Sequence, residues 1–299
     1  MVTEMESVSF ELPDGRLLAG IVDPEPHETA FVWCHGTPFP VVPWSPLLEA
    51  CRMRGLRLVA WARPGYGAST PHPGRRVVDF ADDARHVLDS IGAADAIAAG
   101  WSGGGPHALS LGAALATRCR SVLSIASVAP SGQDDLEWVA GMGPENVDEF
   151  ERASRGGEEF DAWLEEANAQ LAAIGRDELA ASMAGLISPI DAVALEELGM
   201  AEMLAACIRS SGAGPAAGWR DDDLAFLARW GFDADDVTVP VSLWQGTDDL
   251  MVPLSHGRWL ADRLPHVTAN LVEGEGHLSL LTRRLASMVD QAVELAGRR

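Results

Sequence analysis

Four short runs in the first 130 residues are almost continuously apolar, and each leads into glycine or proline: TAFVWCHG, LRLVAWARPG, DAIAAGWSG and SVLSIASVAP. Runs this short and this apolar predict strands buried on both faces. Between them, VVDFADDARHVLDSIG repeats its apolar positions at helical spacing. Ahead of them, SVSFELPDGRLLAGIVDP breaks at Asp14-Gly15, which predicts a hairpin. The same alternation resumes at DVTVPVSLWQG and VTANLVEGEG, and the chain closes with the amphipathic run LSLLTRRLASMVDQAVELA. Buried strands alternating with helices predict an α/β fold, a mostly parallel sheet flanked by helices on both faces.

Residues 131–236 interrupt this pattern. EEFDAWLEEANAQLAAIG and PIDAVALEELGMAEMLAACIRSS carry helically spaced apolar residues, much Ala and Glu, and little β-branching. They predict an all-helical insertion after the sixth strand, with SSGAGPAAG as a flexible connection inside it. The expected organisation is a core in two parts, 1–130 and 237–299, with a helical cap over 131–236.

Charge separates the same regions. The formal net charge is −22, and every basic residue is arginine. Residues 131–236 hold 24 of the 44 acidic side chains and only six arginines. No basic surface is left to follow a phosphate backbone, which argues against a nucleic-acid partner. The acidic runs are expected to be solvated helix faces. No apolar run is long enough for a membrane span, and the acidic N-terminus does not read as a secretory signal. Cys34, Cys51, Cys119 and Cys207 are scattered without metal-ligand spacing, so the expectation is reduced thiols in a cytoplasmic protein, with no metal.

The chemistry concentrates at strand ends. Gly100-Trp101-Ser102-Gly103-Gly104 fits G-x-S-x-G where a buried strand hands over to a helix, a turn that projects the serine hydroxyl above the sheet. Cys34-His35-Gly36-Thr37-Pro38 follows another strand, and the Thr37 N–H with that of Gly103 would make a two-point oxyanion hole. Two further segments follow the last strands: Gln245-Gly246-Thr247-Asp248-Asp249-Leu250-Met251-Val252-Pro253 and Glu273-Gly274-Glu275-Gly276-His277.

Together with Arg63-Pro64-Gly65-Tyr66-Gly67, these segments resemble the α/β-hydrolase fold superfamily along essentially the whole core, in the esterase and prolyl-aminopeptidase-like branch with a helical cap. The resemblance implies Ser102 as nucleophile, His277 as base and Asp249 as acid, with Asp248 the lesser candidate. It implies Thr37 and Gly103 as oxyanion donors, a cofactor-independent mechanism and a small-molecule substrate. Gly36, Pro38 and Trp101 are the expected substrate-binding residues, and one or two of Trp138, Trp163, Trp219 and Trp230 are candidates for an apolar ceiling. His35 is expected to be a buried strut, and packing is the default for His107. The implied activity is hydrolysis of carboxylic esters of small or medium apolar substrates. Peptidase action at N-terminal proline, thioester or lactone hydrolysis and C–C bond cleavage use the same residues, although HGTP lacks the second glycine of the HGGP loop of the peptidases. A non-catalytic small-ligand binder on the same scaffold is the reading from another class. Oligomeric state, homodimer included, is left open.

Overall fold

The hairpin signal becomes β1 (Glu6–Glu11) and β2 (Leu17–Val22), an antiparallel pair whose turn holds Gly15 at φ +85°. A computed structural model describes residues 4–211 and 215–298. The remaining strands are β3 (Thr29–Cys34), β4 (Leu56–Trp61), β5 (Asp95–Trp101), β6 (Cys119–Ile125), β7 (Val241–Gly246) and β8 (Val267–Val272). They form one sheet in the order β1-β2-β4-β3-β5-β6-β7-β8, antiparallel from β1 through the β2/β4 pair and parallel from β4 to β8. Parallel strands share one carboxyl edge. The loops after β3, β4, β5, β7 and β8, which carry the chemical segments of the sequence, therefore meet along it.

Helices α1 (Ser45–Arg52), α2 (Phe80–Ser90) and α3 (Gly104–Ala114) connect the first parallel strands. Between β6 and β7 lie α4 (Pro144–Arg155), α5 (Gly157–Ala172), α6 (Leu179–Ser182), α7 (Pro189–Ala194), α8 (Met200–Ser211) and α9 (Ala217–Leu227). Then α10 (Leu254–Arg263) and α11 (His277–Ala296) finish the chain. Successive strand residues point to opposite faces, and the core divides accordingly. Phe31, Leu58, Ile97 and Leu123 pack with Leu47 and Leu48 of α1 and Leu281 and Met288 of α11. Their neighbours Val32, Val59, Ala98 and Val122 pack with Val87 of α2, Leu109 of α3 and Leu260 of α10.

The second helical pattern of the insertion is divided. The pattern PIDAVALEELGMAEMLAACIRSS does not form one helix: α7 ends at Ala194 and α8 begins at Met200. Leu198 at φ +50° and Gly199 at φ +67° break it, and the Leu198 carbonyl accepts from Trp44 Nε1 at 2.9 Å. Apolar spacing continues across the break because both halves bury the same kind of face. Of the expected connection SSGAGPAAG, Gly212, Ala213 and Gly214 lie outside the described residues, while its ends belong to α8 and α9. All four cysteines are buried thiols, and among the described residues no helix is long and apolar enough to cross a membrane.

The backbone packs closely where α3 starts beneath the end of β3. A Cβ on Gly104 would stand 2.0 Å from the Cys34 carbonyl oxygen, a backbone atom that cannot step aside. Gly104→Ala is therefore expected to lower stability by at least about 1–3 kcal/mol, read from the midpoint of urea unfolding.

Candidate active site

Ser102 sits between the last residue of β5 and the first turn of α3, at φ +57°. A non-glycine residue in that region is strained and persists only when its surroundings hold it. Here its N–H donates to the Ile125 carbonyl at 2.9 Å, and its own carbonyl accepts from Gly105 N at 2.9 Å. The glycines around it answer a spatial demand. A Cβ on Gly100 would fall 2.2 Å from the Gly104 oxygen, and one on Gly103 would fall 2.5 Å from Thr37 Oγ1.

That second contact places the loop after β3 directly beside the serine. A Cβ on Gly36 would lie 3.5 Å from Ser102 Cβ, so the two loops run in van der Waals contact. Among the described residues, neither the Thr37 nor the Gly103 backbone N–H donates to a protein acceptor. Both belong to the loops that flank Ser102.

The loops after β7 and β8 bring an acid to a base. His277 Nδ1 donates to Asp249 Oδ2 at 2.8 Å, both side chains being fully buried. Asp249 Oδ1 accepts from the N–H groups of Met251 at 2.9 Å and Val252 at 2.8 Å, and Gln245 Nε2 donates to Oδ2 at 3.1 Å. This donor set leaves the carboxylate one orientation. Burial by itself would push the His277 imidazole down, but the charge and hydrogen bond of Asp249 outweigh it and hold it above its ordinary value. With Nδ1 committed, Nε2 is the nitrogen free to take a proton. Asp248 is exposed and accepts from Thr247 Oγ1 instead. The His277 ring lies 5.1 Å from the ring of Trp101, the residue preceding Ser102. Among the described residues no hydrogen bond joins Ser102 to His277, and such bonds often close only around substrate.

Ser102 opens into a cavity of about 320 Å³ whose walls are mainly apolar. Thr37, Pro38 and Gly103 form its floor, while Phe150 from α4, Trp163 from α5 and Phe226 from α9 close it from the intervening helices. Trp219 lines it as well, whereas Trp138 and Trp230 belong to the core. Gly36 and Trp101 do not reach this cavity. They line a second, smaller one, about 30 Å³, with Trp33 and Cys207.

The match to known proteins follows this geometry. Residues 29–283 match a family model described as alpha/beta hydrolase fold. The chain belongs to the α/β-hydrolase fold family. No curated protein matches it by sequence. Among solved structures it is similar to a hydrolase from Pseudomonas aeruginosa (19% identity, TM-score 0.67, covering 96% of this chain and 98% of that one). It is also similar to an enol-lactonase from Burkholderia xenovorans (19%, TM-score 0.66, 98% and 100%) and an esterase from Thermogutta terrifontis (16%, TM-score 0.66, 97% and 99%).

In this α/β-hydrolase-fold protein, sequence patterns missed the group that holds the Thr37 loop. Asp221, Asp222 and Asp223 read as part of a solvated acidic face, yet they are 2%, 0% and 0% exposed. Asp222 of α9 accepts from Thr37 Oγ1 at 2.6 Å, Tyr66 Oη at 2.8 Å, Arg63 Nε at 3.0 Å and Arg75 Nη2 at 2.6 Å. Burial alone would raise its carboxyl, but Arg63 and Arg75 hold it well below its ordinary value. The arginine of R-P-G-Y-G was the one visible signal, because a buried guanidinium needs a buried carboxylate. His35 is a strut of the same assembly: Nδ1 donates to the Gly36 carbonyl at 2.8 Å, and Nε2 accepts from Arg63 N at 3.2 Å. His107 is buried, with Nδ1 donating to the Gly103 carbonyl at 2.9 Å, and burial pushes its imidazole down to about 3.

Removing Asp222 would strand two guanidinium groups without charge partners. Asp222→Ala is expected to cost about 3–5 kcal/mol, measured by urea unfolding at neutral pH. Because the folded-state carboxyl titrates below its unfolded value, its contribution is present above about pH 4 and fades as pH falls through the folded value. The gap between variant and wild type should therefore narrow in acid.

Proposed function

We propose that this protein is a serine hydrolase that cleaves carboxylic esters of small or medium apolar substrates through an acyl-enzyme. The observation that carries this reading is the meeting at one sheet edge of the strained Ser102, two unused N–H groups and the buried Asp249–His277 pair. Ser102 Oγ attacks the substrate carbonyl while His277 Nε2 takes its proton. Asp249 keeps the imidazole in the tautomer that leaves Nε2 open and stabilises the imidazolium. The Thr37 and Gly103 N–H groups take the negative charge that develops on the carbonyl oxygen; one such donor typically lowers the barrier by about 3–4 kcal/mol. His277 then returns the proton to the leaving alcohol, and water, activated by the same base, releases the acid. The apolar cavity supports an uncharged acyl or alkyl group.

A second reading is favoured by one feature of that cavity. Asp223 of α9 lines it with neither carboxylate oxygen accepting a donor, and Glu149 of α4 lines it beside Asp223, receiving Trp219 Nε1 at 2.6 Å. Burial pushes both carboxyls up, and for Asp223 the charge of Glu149 adds to it. A substrate carrying a free amine would give this buried carboxyl pair a cationic donor, as in removal of an N-terminal residue from a short peptide. Comparing kcat/KM for an amino-acid ester with that for its des-amino counterpart separates the readings: apolar-ester hydrolysis predicts no preference for the amine.

The proposed chemistry is tested by intact mass after exposure to a fluorophosphonate, with peptide mapping. A single adduct on Ser102, absent in Ser102→Ala, is expected; no adduct at high reagent concentration would overturn the hydrolase reading. The base must be neutral to act, and His277 is held above its ordinary value. The labelling rate should thus rise with pH through a midpoint above about 6.5.

A further inference from the structure

Helix α11 begins at His277, and its N-terminus is capped from elsewhere in the chain. The first N–H groups of a helix have no intrahelical acceptor and need one from a capping side chain. The residue before His277 is Gly276, which has no side chain to offer. Asp191 of α7, fully buried, fills the place: its carboxylate accepts from the N–H groups of His277, Leu278 and Ser279, each at 2.9 Å. Ser188 Oγ, at 3.1 Å, fixes the carboxylate in turn. The close approach accounts for the glycine, since a Cβ on Gly276 would stand 2.2 Å from Asp191 Oδ2. Gly276 has φ −101°, so space and not backbone conformation excludes a side chain there.

His277 is therefore held at two points, its ring by Asp249 and its backbone by Asp191. The same stretch is tied down one turn further on, where Glu197 accepts from Thr282 Oγ1 at 3.1 Å and pairs with Arg283 at 2.8 Å. We infer that Asp191 is a positioning residue for His277, which makes the reactivity of Ser102 depend on the seating of α7 against α11. This inference rests on the serine-hydrolase reading for its effect on rate, though not for its effect on His277 itself.

The electrostatics run in the same direction. The charges facing the imidazole are Asp249 from the loop after β7 and Asp191 from α7; both favour the imidazolium against burial. Arg283 of α11 faces Asp191 and is paired with Glu197, and it lies 3.7 Å from Glu275, which also pairs with Arg284. Removing the Asp191 charge should therefore lower the His277 midpoint. A residue that only braced the fold would leave that midpoint unmoved.

The test combines imidazole NMR titration with fluorophosphonate labelling of the full chain, the His277 signals being assigned by their loss in His277→Gln. Asp191→Asn, which keeps an acceptor oxygen, is expected to lower the His277 midpoint by about half a pH unit or more. Asp191→Ala is expected to slow labelling of Ser102 by about 10²-fold, with a native far-UV spectrum. Gly276→Ala should slow labelling strongly in the wild-type background and little in the Asp191→Ala background, because the collision partner is then gone. An unmoved midpoint in Asp191→Asn, or additive losses in the double variant, would overturn the inference. If wild-type Ser102 takes no label, the hydrolase reading fails while the titration still decides the role of Asp191.

Discussion

The close crossing of three backbone segments around Ser102 is the constraint on which the site depends. The end of β3, the end of β5 and the start of α3 approach so nearly that Gly100 and Gly104 admit no Cβ. This crowding holds Ser102 in a conformation an L-residue otherwise avoids. It also sets the Thr37 loop against Gly103, and among the described residues the N–H groups of both residues have no protein acceptor. The strain is local, and the parallel sheet on either side, buried on both faces, absorbs it.

Two buried aspartates extend this arrangement into the helices between β6 and β7. Asp222 reaches from α9 to Thr37, Tyr66, Arg63 and Arg75, and Asp191 reaches from α7 to the first turn of α11. Each satisfies groups that the sheet-edge loops cannot satisfy themselves: a buried pair of guanidinium groups in one case, the free donors of a helix start in the other. Much of the acid in this region is solvated, as in the ion pairs of Arg176 with Glu196 and Glu202. The two aspartates differ because they carry structure across to the sheet, where an unpaired charge would be costly. A strongly acidic composition thus conceals a few carboxylates whose partners lie far away in sequence.

The parallel sheet and its carboxyl edge were legible in the chain. Short apolar runs closed by glycine or proline have few alternatives to buried strands, and the chemical segments follow those runs directly. The segments that hold Ser102, Asp249 and His277 could be located because local patterns surround each of them. The neighbouring Asp248 was separated from Asp249 only by geometry: the chain turns so that Asp248 faces solvent and Asp249 faces His277. Trp101 shows the reverse. Adjacent to the serine in sequence, it lines the smaller cavity and not the one above Ser102, because the left-handed turn at Ser102 sends the two side chains apart.

What the sequence determined by itself was therefore whatever depends on neighbours along the chain: strand and helix periodicity, the turn at Ser102 and the order of the chemical segments. Tertiary structure alone decided which acids are buried, where α7 stops, and which residues line the cavity above Ser102. Each of those depends on a partner dozens of residues away, as Asp191 is from His277 and Asp222 from Arg63. The physical reason is that burial and pairing are properties of a place in the fold. A run of three aspartates looks the same in water and in a core until its partners, such as the two arginines on Asp222, are brought alongside.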